Sequence, residues 1–196
     1  MTVEIADDQK HSVTLSGTAK DGSGTQTYTF SADGDGIDCN GSFYAYGGTI
    51  ITIGGTSNGN GVFDRDANFV IGEGVTLFGI GTSGMIEGPT DVKQPYIQYT
   101  GSSSVSGFSG GFGGFGGNGR GGNSESSSIA SGSTITINDS TGKTLFTYTA
   151  NKAASYILYS SPSLSNGSSY TLKSGTTTLS TLTATTSASS VGTGRR

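Results

Sequence analysis

Ile37-Asp38-Cys39-Asn40-Gly41-Ser42-Phe43 returns 26 residues later as Phe63-Asp64-Arg65-Asp66-Ala67-Asn68-Phe69, with apolar residues at both ends and acidic or amide side chains between them. At the same spacing Gly47-Gly48-Thr49 falls on Glu73-Gly74-Val75, and Ala6-Asp7 lies one unit before Ala32-Asp33. Asp33-Gly34-Asp35-Gly36-Ile37 is echoed, one residue out of register, by Asn58-Gly59-Asn60-Gly61-Val62. Self-similarity at a fixed period marks stacked units, each unable to bury its apolar face alone. At about 3.3 Å per extended residue, one unit has a contour of about 86 Å, enough for three short strands and their turns. The expected fold is therefore all-β: a right-handed parallel β-helix of about 26 residues per coil over residues 1–100, followed by a small antiparallel β-hairpin module.

Within the unit, Phe43 and Ala45 alternate with Tyr44 and Tyr46, and Thr49, Ile51 and Ile53 alternate with Ile50 and Thr52, so one row is expected to point in. One unit on, the inward candidates are Phe69, Ile71, Val75 and Leu77, with Phe43 stacked on Phe69. Gly47-Gly48 and Gly54-Gly55 read as corners that need positive φ. Helix is disfavoured, because no window has the i, i+3, i+4 apolar pattern.

The composition agrees. Gly makes up 35 of 196 residues, with no Trp, three Pro and 12% charged residues, so tight turns are many and ion pairs few. Short alternating apolar runs argue for strands between those turns. A net charge of −4 argues against direct binding to nucleic acid. No run approaches the ~20 apolar residues of a membrane span, so no membrane insertion is expected. A single cysteine, Cys39, excludes a disulfide framework and reads as a partly buried thiol. The Ser/Thr/Gly-rich, lysine-poor surface reads as extracellular or cell-surface, with a leader presumed removed.

From about Tyr96 the texture changes. Residues 101–128 are a Gly/Ser-rich segment carrying Phe108, Phe112 and Phe115, expected to be a flexible insertion. Residues 129–196 read as a hairpin cap module with a polar tail: Thr134–Asn138 pairs with Thr144–Tyr148, Ser155–Tyr159 is a further strand, and Tyr170–Leu172 pairs with Thr178–Leu182. A solenoid end needs such a cover, since open strand edges pair with other chains.

Chemistry concentrates in the turns. Asp33, Asp35, Asp38 and Asn40 lie within eight residues, and Asn58, Asn60, Asp64 and Asp66 follow one unit on. Asp-Gly and Asn-Gly pairs are also ordinary corner residues, held by Asx turns. Together and in register, however, they would stack Asp38 on Asp64 and Asn40 on Asp66, and like charges so close repel unless a cation lies among them. Oxygen-only donors on flexible loops suit Ca²⁺. Tyr44 and Tyr46, facing outward, offer ring faces on which a sugar could stack, though exposed tyrosines also occur without a ligand.

These stretches, with Gly81-Thr82-Ser83-Gly84-Met85 and Thr134-Ile135-Thr136-Ile137-Asn138-Asp139-Ser140-Thr141-Gly142-Lys143, resemble a bacterial extracellular carbohydrate-binding β-helix family whose described member binds polygalacturonic acid. The resemblance runs from about residue 27 to residue 185. It implies Ca²⁺ in the turns, export to the cell surface, and binding of acidic plant polysaccharide without cleavage. Family members usually carry further coils before the Asp-Gly-Asp-Gly stretch, and Cys39 stands where a small polar residue is usual.

No catalytic residue is expected. A pectate lyase needs a strong base near the sugar, and Arg65, flanked by Asp64 and Asp66, reads as a salt-bridged surface residue. His11, the sole histidine, has no triad around it. The alternative from another class is a structural subunit that self-associates end to end into a surface filament.

Overall fold

The computed structural model describes residues 12–16, 27–31, 34–55, 60–101 and 129–189. Asp33, Asn58, His11 and the Phe108/Phe112/Phe115 segment of the sequence reading lie outside them. Among the described residues the chain is all-β, 51% strand with no helix, in several sheets of which none is closed.

The described residues form fifteen strands: β1 (Ser12–Ser16), β2 (Thr27–Ser31), β3 (Ile37–Cys39), β4 (Phe43–Ala45), β5 (Thr49–Ile53), β6 (Phe63–Arg65), β7 (Phe69–Ile71), β8 (Thr76–Gly81), β9 (Asp91–Val92), β10 (Tyr96–Thr100), β11 (Thr134–Asn138), β12 (Thr144–Thr149), β13 (Tyr156–Ser160), β14 (Ser169–Ser174) and β15 (Thr177–Thr183). They form a six-stranded mixed sheet in the order β1-β2-β5-β8-β13-β10, an antiparallel sheet β12-β11-β14-β15, and two small parallel sheets, β3-β6 and β4-β7-β9.

The sequence repeat is realised as parallel pairing. Ile37 pairs with Phe63 and Asp38 with Asp64, and Phe43 pairs with Phe69, all at the 26-residue offset. β5 pairs with β8 one residue longer, Thr49 opposite Thr76. The corner between β3 and β4 is tied to its counterpart: the Ala67 amide donates to the Gly41 carbonyl at 2.8 Å and the Phe43 amide to the Asn68 carbonyl at 2.7 Å. Gly47 and Gly48 take φ of 68° each, as corners require. Gly54 does not have positive φ; a β-carbon there would meet the Gly61 carbonyl oxygen at 2.5 Å, so close chain approach is its reason.

The structure departs from the expected fold in two places. Parallel pairing does not extend through residues 1–100, because β1 is antiparallel to β2. Nor do the late strands only pack on an end. β13 lies between β8 and β10, antiparallel to both, so the two strands from the first hundred residues run parallel but are separated by one from the last seventy. Tyr156-Ile157-Leu158-Tyr159-Ser160 is buried throughout, which only a strand covered on both faces can be.

Those two faces define two cores. On one side Tyr156 and Leu158 join Phe63, Phe69, Ile71, Val75 and Leu77 against the small parallel sheets. On the other, Ile157 and Tyr159 join Phe78, Ile80, Ile97, Ile135, Ile137 and Leu172, with the antiparallel sheet laid across. β5 therefore has two covered rows, not one: Ile50 faces the first core, Ile51 and Ile53 the second. Each buried large aliphatic contributes about 1.5–3 kcal/mol, and the Phe78–Phe146 and Phe146–Tyr159 ring pairs, at 4.8 and 5.0 Å, add aromatic contact. The expected hairpins β11–β12 and β14–β15 are present, joined through β11–β14.

Candidate functional site

The outward face of the β4-β7-β9 sheet carries the aromatic residues singled out from the sequence. Strand alternation sends Phe43 and Ala45 inward and Tyr44 outward, and Tyr46 follows on the outer side. Tyr44 is 52% and Tyr46 63% exposed, and no other large apolar side chain among the described residues is exposed. Their rings are 6.1 Å apart at centroid and 14° from parallel. A β-carbon built at Gly72 would stand 2.0 Å from Cδ1 of Tyr46, so the Tyr46 ring lies across the next strand. Gly72 has no positive φ, so it is the ring and not the backbone that uses the absent side chain.

The pairing extends this face over a third strand. Tyr44 is opposite Val70, and Val70 opposite Asp91. The Gly72 amide donates to the Ala45 carbonyl and the Lys93 amide to the Ile71 carbonyl, each at 2.8 Å, which puts Tyr46, Gly72 and Lys93 in a second row. Lys93 Nζ and a carboxylate oxygen of Asp91 are 3.0 Å apart, with both side chains about half exposed. Asp91 and Lys93 were not singled out from the sequence. Val70 to Asp91 is only 21 residues, so a search at 26 passes over them.

On the adjoining face, Asp38 is directly opposite Asp64. Asp38, Asn40 and Asp66 are exposed and Asp64 partly so. The Cys39 thiol sits among them: burial pushes its pKa up, and the Asp38, Asp64 and Asp66 carboxylates push the same way, against a backbone hydrogen bond at Gly41. Three negative charges thus act on one spot. Asp35 is used differently, accepting a hydrogen bond from the Gly61 amide one unit on, next to Asn60. Among the described residues no group of three or more His, Cys, Asp or Glu side chains is gathered closely enough to hold a metal. The donors are the hard oxygens Ca²⁺ takes, so a shell here would need amide, backbone or solvent oxygens besides the carboxylates.

Arg65 is not the surface residue expected. It is 8% exposed and turned inward, beside Phe63 in the row of side chains that β6 buries. It is paired with the buried Glu87, with Nε and Oε2 3.5 Å apart. Nη1 donates to the Ala67 carbonyl at 2.6 Å and Nη2 to the Gly88 carbonyl at 3.3 Å. The Arg65 amide donates to Glu87 Oε2 at 3.1 Å. Alternation with the half-exposed Asp64 was the available signal for its inward direction.

No family model matches the chain, and neither a curated protein nor a solved structure matches it. Among the described residues no helix is long and apolar enough to cross a membrane.

Proposed function

We propose that the protein is an extracellular or cell-surface, non-catalytic binder of acidic polysaccharide of the polygalacturonate kind, and that residues 34–92, through β9, are the coils of a right-handed parallel β-helix beside which β13 is inserted. The observation that carries the binding reading is the Tyr44–Tyr46 pair: two near-parallel rings, more than half exposed, side by side on a strand face. Exposed aromatic rings set flat on a rigid sheet lose little entropy on binding and offer apolar area to the C–H face of a pyranose. The β-helix reading draws on three of the parallel ladders, β3-β6, β4-β7 and β5-β8, taken up in the same order by successive units.

In this reading the facing pair Asp38 and Asp64, with the Asn40 amide and backbone and solvent oxygens, holds Ca²⁺. The ion supplies positive charge between facing carboxylates, and so eases the approach of a polyanion to a protein of net charge −4. A lyase role is disfavoured because Arg65 is buried against Glu87, with Nη1 and Nη2 each donating to a backbone carbonyl. End-to-end assembly through β10 would have to accommodate the backbone hydrogen bonds that Tyr96, at the start of this edge strand, exchanges with Thr185. A glycan array probed in calcium and again in chelator tests the proposal. Calcium-enhanced binding to uronate polymers is expected; uniform absence of signal, or cleavage products from the bound glycan, would count against it.

A further inference from the structure

The outward face of β4-β7-β9 is graded from aromatic to charged. Two rows cross it, Tyr44–Val70–Asp91 and Tyr46–Gly72–Lys93, each spanning two strand spacings or about 10 Å. The middle of the face is covered by the Tyr46 ring. Gly72 has no side chain, and Val70, although on the outward row, is 6% exposed. With the Tyr46 ring lying across Gly72 and the Tyr44 ring only 14° from parallel to it, the face is an apolar floor ending in an ion pair.

Resting on the glycan-binding reading, we infer that a sugar chain lies across the strands of this face, from Tyr44 and Tyr46 toward β9, and that Lys93 binds the carboxylate of an acidic sugar directly. The chemistry at β9 favours this occupant. A lysine ammonium has three donors, so Lys93 can keep Asp91 and still donate to a ligand carboxylate. Asp91 accepts from a sugar hydroxyl beside it. A neutral glycan would use the aromatic end alone, and a basic ligand would meet Lys93 as a like charge. Gly72 is then a positioning residue, because a side chain there would lift the Tyr46 ring off the sheet.

The test is affinity electrophoresis through gels containing polygalacturonate or its methyl-esterified, uncharged counterpart, at one fixed calcium concentration, with circular dichroism to establish folding. Lys93→Gln should raise the dissociation constant for polygalacturonate about three- to tenfold, the effect of a partly exposed charge-assisted contact. It should leave affinity for the esterified polymer unchanged, while Gly72→Val weakens both. Unchanged affinity of Lys93→Gln for polygalacturonate, or an equal loss on both polymers, overturns the assignment of Lys93 while leaving glycan binding in place. A wild-type protein retarded by neither gel overturns the glycan-binding reading and this inference together.

Discussion

Asp38 stands opposite Asp64 in a parallel pair, one strand spacing away. Like charges directly opposite on a sheet destabilise by roughly 0.2–1 kcal/mol. If Ca²⁺ occupies this edge, chelation lowers the melting temperature, because a ligand held only by the folded state stabilises it by mass action. Asp64→Asn discriminates further. In EDTA it should melt above the wild type, with repulsion relieved, and in millimolar calcium below it, with a ligand lost. Thermal melts of both proteins in both buffers check this, and an unchanged order between buffers contradicts a calcium site at Asp64.

Leu158 is fully buried on a strand that separates β8 from β10. Leu158→Ala should cost about 2–5 kcal/mol, as large-to-small changes in packed cores do. Because β13 lies between both cores, urea denaturation followed by tyrosine fluorescence and by far-ultraviolet dichroism should give one coincident transition. Separate transitions would show that the late strands unfold on their own.

The buried Arg65–Glu87 pair predicts an asymmetry. Glu87→Ala should destabilise by about 3–5 kcal/mol, since it strands a buried guanidinium. Replacing Arg65 and Glu87 together with Met and Leu should recover much of that loss. Chemical denaturation of the single and double variants measures the difference, and additive losses would argue that the two residues are not coupled.

Burial pushes the phenol pKa values of Tyr148, Tyr156 and Tyr159 up, and that of Tyr96 as well, there opposed by a hydrogen bond with Ser189. A raised folded-state pKa means the fold favours the protonated phenol. The associated stability is complete below the unfolded value of about 10 and is lost as pH rises above it. Phenolate absorbance from the fully buried Tyr156 should therefore appear together with loss of dichroism in an alkaline titration. Ionisation of Tyr156 in a protein that keeps its fold would contradict the burial described.

Local parallel pairing in the first hundred residues was legible, but an unbroken parallel stack there is not what the chain forms. Side chains at a fixed period stack, so Phe43 on Phe69 and Asp38 on Asp64 were readable from the offset alone. The outward Tyr44 and Tyr46 followed from alternation, and the two hairpins from turn residues. Three things did not follow. The place of β13 depends on a partner strand some 75 residues earlier in the chain, β8, which periodicity cannot see; the uninterrupted Tyr156-Ile157-Leu158-Tyr159 run did signal burial on both faces. Lys93 and Asp91 were hidden because the third unit is shorter. Arg65 was misplaced because its acidic chain neighbours seemed sufficient partners, whereas alternation turns Arg65 away from them.

The central claim is that the Tyr44–Tyr46 surface binds acidic polysaccharide, and equilibrium binding of polygalacturonate to wild type and to the Tyr44→Ala/Tyr46→Ala variant tests it most directly. Both side chains are exposed, so the variant should keep its melting temperature within a few degrees. The account predicts that its affinity falls by about tenfold or more, the loss of about 1.4 kcal/mol or more of ring contact. Equal affinity in a folded variant would contradict it.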